Sequence, residues 1–169
     1  DTIISLFSLF ITKRIYKLTG ELRFMERILA IDYGKKRTGL AVTDINQMIA
    51  NGLDTVNTAE LIGYLKDYFR REPVELVVIG YPLQMNNTPS EAVRYINEFI
   101  PTFTKNFPTI PYHLMDERFT SKMAFQAMIE GGIKKKRRKD KALIDKVSAT
   151  IILQSYMEMK NNLSNRNNL

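Results

Sequence analysis

The chain has 169 residues, 44% hydrophobic and 25% charged, a composition that suits one globular domain with a substantial core and is too short for two independent enzymatic lobes. It has no cysteine, which excludes a disulfide framework, a thiol nucleophile and a cysteine-rich zinc site; its one histidine, His113, leaves no second imidazole for a zinc site or a Ser-His-Asp triad. The net charge of +7 is local, because the run "KKKRRK", Lys134 to Lys139, supplies six positive units and leaves the remainder nearly neutral.

Residues 1–24 read differently from the rest of the chain. The apolar stretch Ile3 to Ile11 is about half the length of a membrane-spanning helix, and its basic residues follow it, unlike those of a secretory signal. We expect the domain to occupy residues 25–160, beginning at Met25, with 1–24 an upstream extension; a short amphipathic anchor is the competing reading. "RILAIDY", Arg27 to Tyr33, predicts a central strand, and "RTGLAVTD" a second, joined by the hairpin-length "GKK". "MIANGLDTVN" supplies a third strand, with Asn51-Gly52 as a turn or bulge signal. Thr58 is placed to cap a helix running to about Arg71. "VELVVIGYP", Val74 to Pro82, is a continuous apolar run of the kind buried on both faces of a sheet.

Thr88-Pro89-Ser90-Glu91 combines a capping box with a proline at the first helical position, so a helix starts there, with a break or kink expected at Pro101. "IPYHLMDE" predicts another strand ending in two acids. Thr120 caps a helix closed by Gly131-Gly132, a last helix spans about Asp140 to Lys160, and residues 161–169 form a polar tail expected to be disordered. The order β-β-β-α-β-α-β-α-α gives an α/β fold with a mixed five-stranded sheet and helices on both faces.

Three acidic positions stand out. Asp32 follows four apolar residues in a strand, Asp116 and Glu117 end a late strand, and Asp145 lies beside the apolar stripe Ile144, Val147, Ile151 and Ile152 of the last helix. Each has an ordinary role open to it: Asp32 satisfying a turn, Glu117 pairing with Arg118, Asp145 facing solvent. Together they make a sharper case, because carboxylates in or beside a core are costly unless paired or metal-bound. If the first and late strands are parallel neighbours, the acids share one edge. Such a cluster suits Mg²⁺ or Mn²⁺, and two such ions about 4 Å apart support phosphodiester hydrolysis without histidine or cysteine. The run Lys134, Lys135, Lys136, Arg137, Arg138 and Lys139 then fits a phosphate backbone, which it would hold by charge with little sequence information. Lys35, Lys36 and Arg37 also lie within reach of substrate phosphate, although a solvated turn explains them equally well. "PLQMNNT" reads as a loop in which Asn86, Asn87 and Thr88 can contact nucleic acid, and Thr88 has a sufficient job as a helix cap.

The glycines of "DYGKKRTG" also occur in the phosphate-holding hairpins of actin-like ATPases, but those need two lobes. Gly34 to Gly39 has Walker spacing but is followed by Leu40-Ala41, not Lys-Ser/Thr.

Four ordered blocks, "ILAIDYGKKRTGLAVTD", "VVIGYPLQMNNTPSE", "MDERFTSKMA" and "KDKALIDKVSATIILQSYM", resemble the YqgF/RuvX family over roughly Met25 to Met159. The family comprises bacterial RNase H-like nucleases related to the Holliday-junction resolvase RuvC. The resemblance implies a ribonuclease H-like fold, a divalent-metal-dependent nuclease and a cytoplasmic role in maturing the 5′ end of pre-16S rRNA. It also implies metal-binding and catalytic roles for Asp32, Glu117 and Asp145, with Asp116 an alternative or auxiliary ligand. Arg118, next to Glu117, is placed to position a phosphate or to hold Glu117. Ser148 replaces an alanine common in the last block, a small-for-small change. A junction resolvase acting on branched DNA and a non-cleaving nucleic-acid-binding module are the alternatives. No membrane association is expected, and a monomer and a homodimer are both compatible.

Overall fold

The computed structural model describes residues 14–16, 22–24, 26–82, 91–116 and 120–166. Two short strands, β1 (Arg14–Tyr16) and β2 (Leu22–Phe24), pair antiparallel as a separate ladder within the segment expected to precede the domain.

The main sheet has five strands: β3 (Arg27–Tyr33), β4 (Arg37–Thr43), β5 (Ala50–Asn57), β6 (Val74–Tyr81) and β7 (Tyr112–Asp116), in the spatial order β5-β4-β3-β6-β7. The first three form an antiparallel meander, and β6 and β7 add parallel to β3. The parallel additions require crossover helices, which the chain supplies as α1 (Leu61–Arg71) and α2 (Glu91–Asn106). A shift in pairing between Leu40 and Ala41 leaves Leu53 as the extra residue of a bulge on β5, directly after Gly52. The first and late strands are parallel but not neighbours, since β6 lies between them.

Side-chain alternation divides the core. On one face Leu29, Ile31, Leu40, Val42, Val77 and Ile79 pack against α1 and α2; Phe99 and Phe103 of α2 and Phe107 just past its end recur every four residues, with ring centroids 5.9 and 5.2 Å apart. On the other face the sheet presents Ile28, Ala30, Ala41 and Val78 to α4 (Lys141–Arg166), through Ala149, Ile152, Leu153 and Met157. Small residues on this second face let the helix sit close. A Cβ on Gly39 would lie 2.0 Å from the Asp145 carbonyl oxygen, and one on Gly52 would lie 2.7 Å from Lys146 Cγ. The helix α3 (Thr120–Glu130) ends in a Schellman motif, with Gly132 at φ +70°, Gly132 N–H donating to the Ile129 carbonyl and Ile133 N–H to that of Met128.

Several boundaries differ from the sequence expectation. Asn57, not Thr58, caps the turn before α1, its side chain accepting from Ala59 N–H, because Thr58 is otherwise engaged: its Oγ1 donates to the Gly34 carbonyl oxygen at 2.7 Å. The helix α2 continues through Pro101, held there by the buried Phe99 and Phe103 on either side. The last helix continues past Lys160 to Arg166, along exposed residues where Ser164 Oγ bonds to the Lys160 carbonyl oxygen. The helix start proposed at Thr88-Pro89 lies outside the described residues.

Candidate active site

The C-terminal ends of the parallel strands form one edge of the molecule. Asp32 closes the buried run Ile28 to Ile31 on β3, in phase with Ile28 and Ala30, so it belongs to the face that α4 covers. Its cross-strand partner is Gly39, the residue over which the α4 backbone passes at Asp145. The missing Cβ of Gly39 is therefore what lets a carboxylate on the last helix reach a carboxylate on the first strand of the sheet.

The electrostatics report that proximity. Asp32 retains some solvent contact, but the protein around its carboxyl pushes its pKa from 3.8 up to about 7, chiefly by desolvation and then by the negative charge of Asp145. Asp145 in turn accepts a hydrogen bond from Arg37 Nε at 2.9 Å across a sequence separation of 108 residues. Arg37 begins β4 immediately after a tight turn in which Gly34 N–H donates to the Arg37 carbonyl oxygen at 3.1 Å. Thr58 N–H bonds to the Lys36 carbonyl oxygen, and Thr58 Oγ1 also lies 2.9 Å from Thr38 Oγ1, so this turn is pinned from two sides. At the start of α4 the Ala142 carbonyl oxygen accepts from Thr55 Oγ1 at 2.7 Å.

Of the sequence-derived site residues, the structure brings together Asp32, Asp145 and Arg37. Asp116 ends β7 at the same edge but in phase with Tyr112 and Leu114, whereas Met115 and His113 point to the α4 side, where His113 meets the Tyr156 ring at 5.1 Å. Asp116 thus stands on the face opposite Asp32. Glu117 and Arg118 lie outside the described residues, as do Asn86, Asn87 and Thr88. Lys35 and Lys36 are exposed in the pinned turn, and Lys35 Nζ sits 5.4 Å from the Tyr95 ring centroid. Residues 134–139 link α3 to α4, mostly exposed and ending in a 3₁₀ turn, Arg137–Lys139, just before the helix that carries Asp145.

Among the described residues no three His, Cys, Asp or Glu side chains group as a metal site. The pair Asp32 and Asp145 nevertheless suits a hard divalent cation: both offer carboxylate oxygens, and they lie near enough that the charge of Asp145 disfavours the charge on Asp32. The sequence does not signal Gly39, and it leaves Arg37 open between a phosphate contact and a solvated turn. A glycine in a hairpin gives no hint of a helix passing over it from 106 positions downstream, because the contact is with backbone.

The model of the RuvX family, described as "Holliday junction resolvase", matches residues 26–159. A Christiangramia forsetii protein named "Putative pre-16S rRNA nuclease" is 59% identical over 133 residues, 79% of this chain and 98% of its own length. A Parabacteroides distasonis protein of the same name is 57% identical over 136 residues, 80% of this chain and 97% of its own. Among solved structures, T. thermophilus RuvC in complex with a Holliday junction substrate aligns with a TM-score of 0.50 at 15% identity, over 80% of this chain and 96% of that one. That likeness establishes a ribonuclease H-like fold.

Proposed function

This chain belongs to the RuvX family and is a nuclease, and from that premise we propose that it hydrolyses phosphodiester bonds of precursor 16S rRNA in 5′-end maturation, using a divalent cation held by Asp32, Asp145 and Glu117. The observation that carries the reading is the carboxylate pair: Asp32 is held in a desolvated position beside Asp145, an arrangement that is costly until a cation enters it. Bound Mg²⁺ or Mn²⁺, as one or two ions, supplies activation of water and neutralisation of the phosphate charge. The rigid β3 strand fixes Asp32, α4 brings Asp145 over Gly39, and Glu117 follows the end of β7 in sequence. Residues 134–139 and the Lys35–Lys36 turn offer cations to the phosphates that flank the scissile bond.

RNA is preferred over branched DNA because relatives at 57–59% identity, aligned over nearly their whole length, carry the pre-16S rRNA name. The family description favours a second reading, a junction resolvase, which normally needs two sites cutting symmetrically. We place the activity in the cytoplasm, with precursor rRNA; among the described residues no helix is long and apolar enough to cross a membrane.

The test is cleavage of precursor rRNA, single-stranded RNA and four-way DNA junctions by purified protein with Mg²⁺ or Mn²⁺. Precursor rRNA should be cut at the 5′ side, and Asp32→Asn and Asp145→Asn should each lose about a thousandfold. Wild-type cleavage in both variants would overturn the site. EDTA-insensitive binding with no cleavage of any substrate would make the domain a binding module.

A further inference from the structure

The Arg37 guanidinium is bound to Asp145 through one donor. Among the described residues its Nε carries the bond to Asp145 Oδ2 at 2.9 Å, with no bidentate fork, and the two side chains keep 40% and 23% of their exposure. The backbone of Arg37 is fixed, by the turn at Gly34 and by the β4 pairing to Asn57, while the guanidinium lies at the end of a long flexible side chain. A single, half-exposed ion pair anchored on a rigid turn is easily exchanged without moving the fold.

Charge balance says when the exchange happens. Asp32, Asp145 and Arg37 together carry one net negative charge when both acids are ionised. A divalent cation between the two carboxylates neutralises them by itself, and Arg37 then becomes a like charge beside it. We propose that Arg37 is a displaceable counter-ion: it holds Asp145 in the metal-free protein, is expelled when the divalent cation binds, and then offers its guanidinium to the substrate phosphate at the same site. The inference rests on the metal-dependent reading above. Arg37 thus links loading of the cation to readiness for substrate, because the same guanidinium cannot serve Asp145 and a phosphate at once.

The experiment is titration of the 169-residue chain with Mn²⁺ alone, by calorimetry, together with melting curves in EDTA and in Mn²⁺. Arg37→Gln should bind Mn²⁺ about fivefold more tightly than wild type, and its melting temperature should rise more on Mn²⁺ addition. Its cleavage at saturating Mn²⁺ should fall at least tenfold, and Arg37→Lys should restore both Mn²⁺ affinity and part of the cleavage. A residue that only braces the fold would weaken Mn²⁺ binding and cleavage together. Unchanged or weaker Mn²⁺ binding in Arg37→Gln, with an intact circular dichroism spectrum, overturns the counter-ion role. Tighter binding with wild-type cleavage overturns the transfer to phosphate. Loss of Mn²⁺ binding in Asp145→Asn supports the metal site independently, and wild-type protein that binds no Mn²⁺ overturns both that site and the counter-ion role.

Discussion

Replacing Gly39 with alanine tests how the site is assembled. The added Cβ would lie 2.0 Å from the Asp145 carbonyl oxygen, 2.4 Å from its carbonyl carbon and 3.1 Å from Lys146 N, all backbone atoms of a helix that cannot rotate out of the way. Restoring an ordinary 3.4 Å contact requires α4 and β4 to separate by about 1.4 Å. That shift loosens Ala149, Ile152 and Leu153 from the sheet, and overpacking of this kind costs about 1–3 kcal/mol. It also moves Asp145 relative to Asp32, and displacement of a catalytic group by about 1 Å lowers the rate about a hundredfold. Urea melts and metal-dependent cleavage should therefore both report the change, with activity lost from protein that is still folded. Gly63 is the control: it lies exposed in α1 with nothing within 4 Å of where a Cβ would stand, so Gly63→Ala should raise stability by about 0.5–1 kcal/mol and leave cleavage unchanged. A Gly39→Ala protein as stable and as active as wild type would refute the close-approach argument.

Asp32 predicts a pH dependence. The native state keeps a proton on Asp32 up to about pH 7 that the unfolded chain releases near 3.8, so in EDTA stability falls as pH rises through that window. The cost reaches up to about 4 kcal/mol above pH 7, and Asp32→Asn should remove it; urea melts from pH 4 to 8 that show identical slopes for the two proteins would contradict this. Converting Lys134, Lys135 and Lys136 to glutamine should weaken RNA binding uniformly across sequences and flatten its salt dependence by up to about three units of slope, read by binding isotherms at several salt concentrations. Phe103, fully buried among Phe99, Phe107 and Tyr112, should cost about 3–5 kcal/mol as alanine, measured by denaturant unfolding.

Local patterns made the elements of the sheet readable. The apolar runs Ile28 to Ile31 of β3 and Leu76 to Ile79 of β6 announce strands covered on both faces, and the hairpin glycine and lysines place β4 beside β3. Asp32 was legible for the same reason, as one carboxylate breaking a buried run. What the sequence concealed was set by tertiary contact. Thr58 has an N-cap composition, but its hydroxyl is drawn to the Gly34 turn, so Asn57 takes the cap. Pro101 usually interrupts a helix, yet the phenylalanines flanking it are packed on the sheet and carry the helix through. Asp116 and Asp32 share an edge, but the one-residue alternation of β7 sends Asp116 to the other face, a phase that becomes fixed only when His113 meets Tyr156 of α4. The Arg37 contact to Asp145 depends on how a C-terminal helix crosses an N-terminal hairpin, which spacing alone does not encode.

That crossing sets an order of events during synthesis. The ties that reach from α4 back to the meander, Arg37 to Asp145, Thr55 to Ala142 and Gln47 to Lys160, span 108, 87 and 113 positions. Chains emerge amino end first, so every strand of the sheet is made before the helix that supplies the second carboxylate. A ribosome-tethered chain lacking α4 carries Asp32 without Asp145, and the carboxylate pair forms only once α4 has emerged and docked.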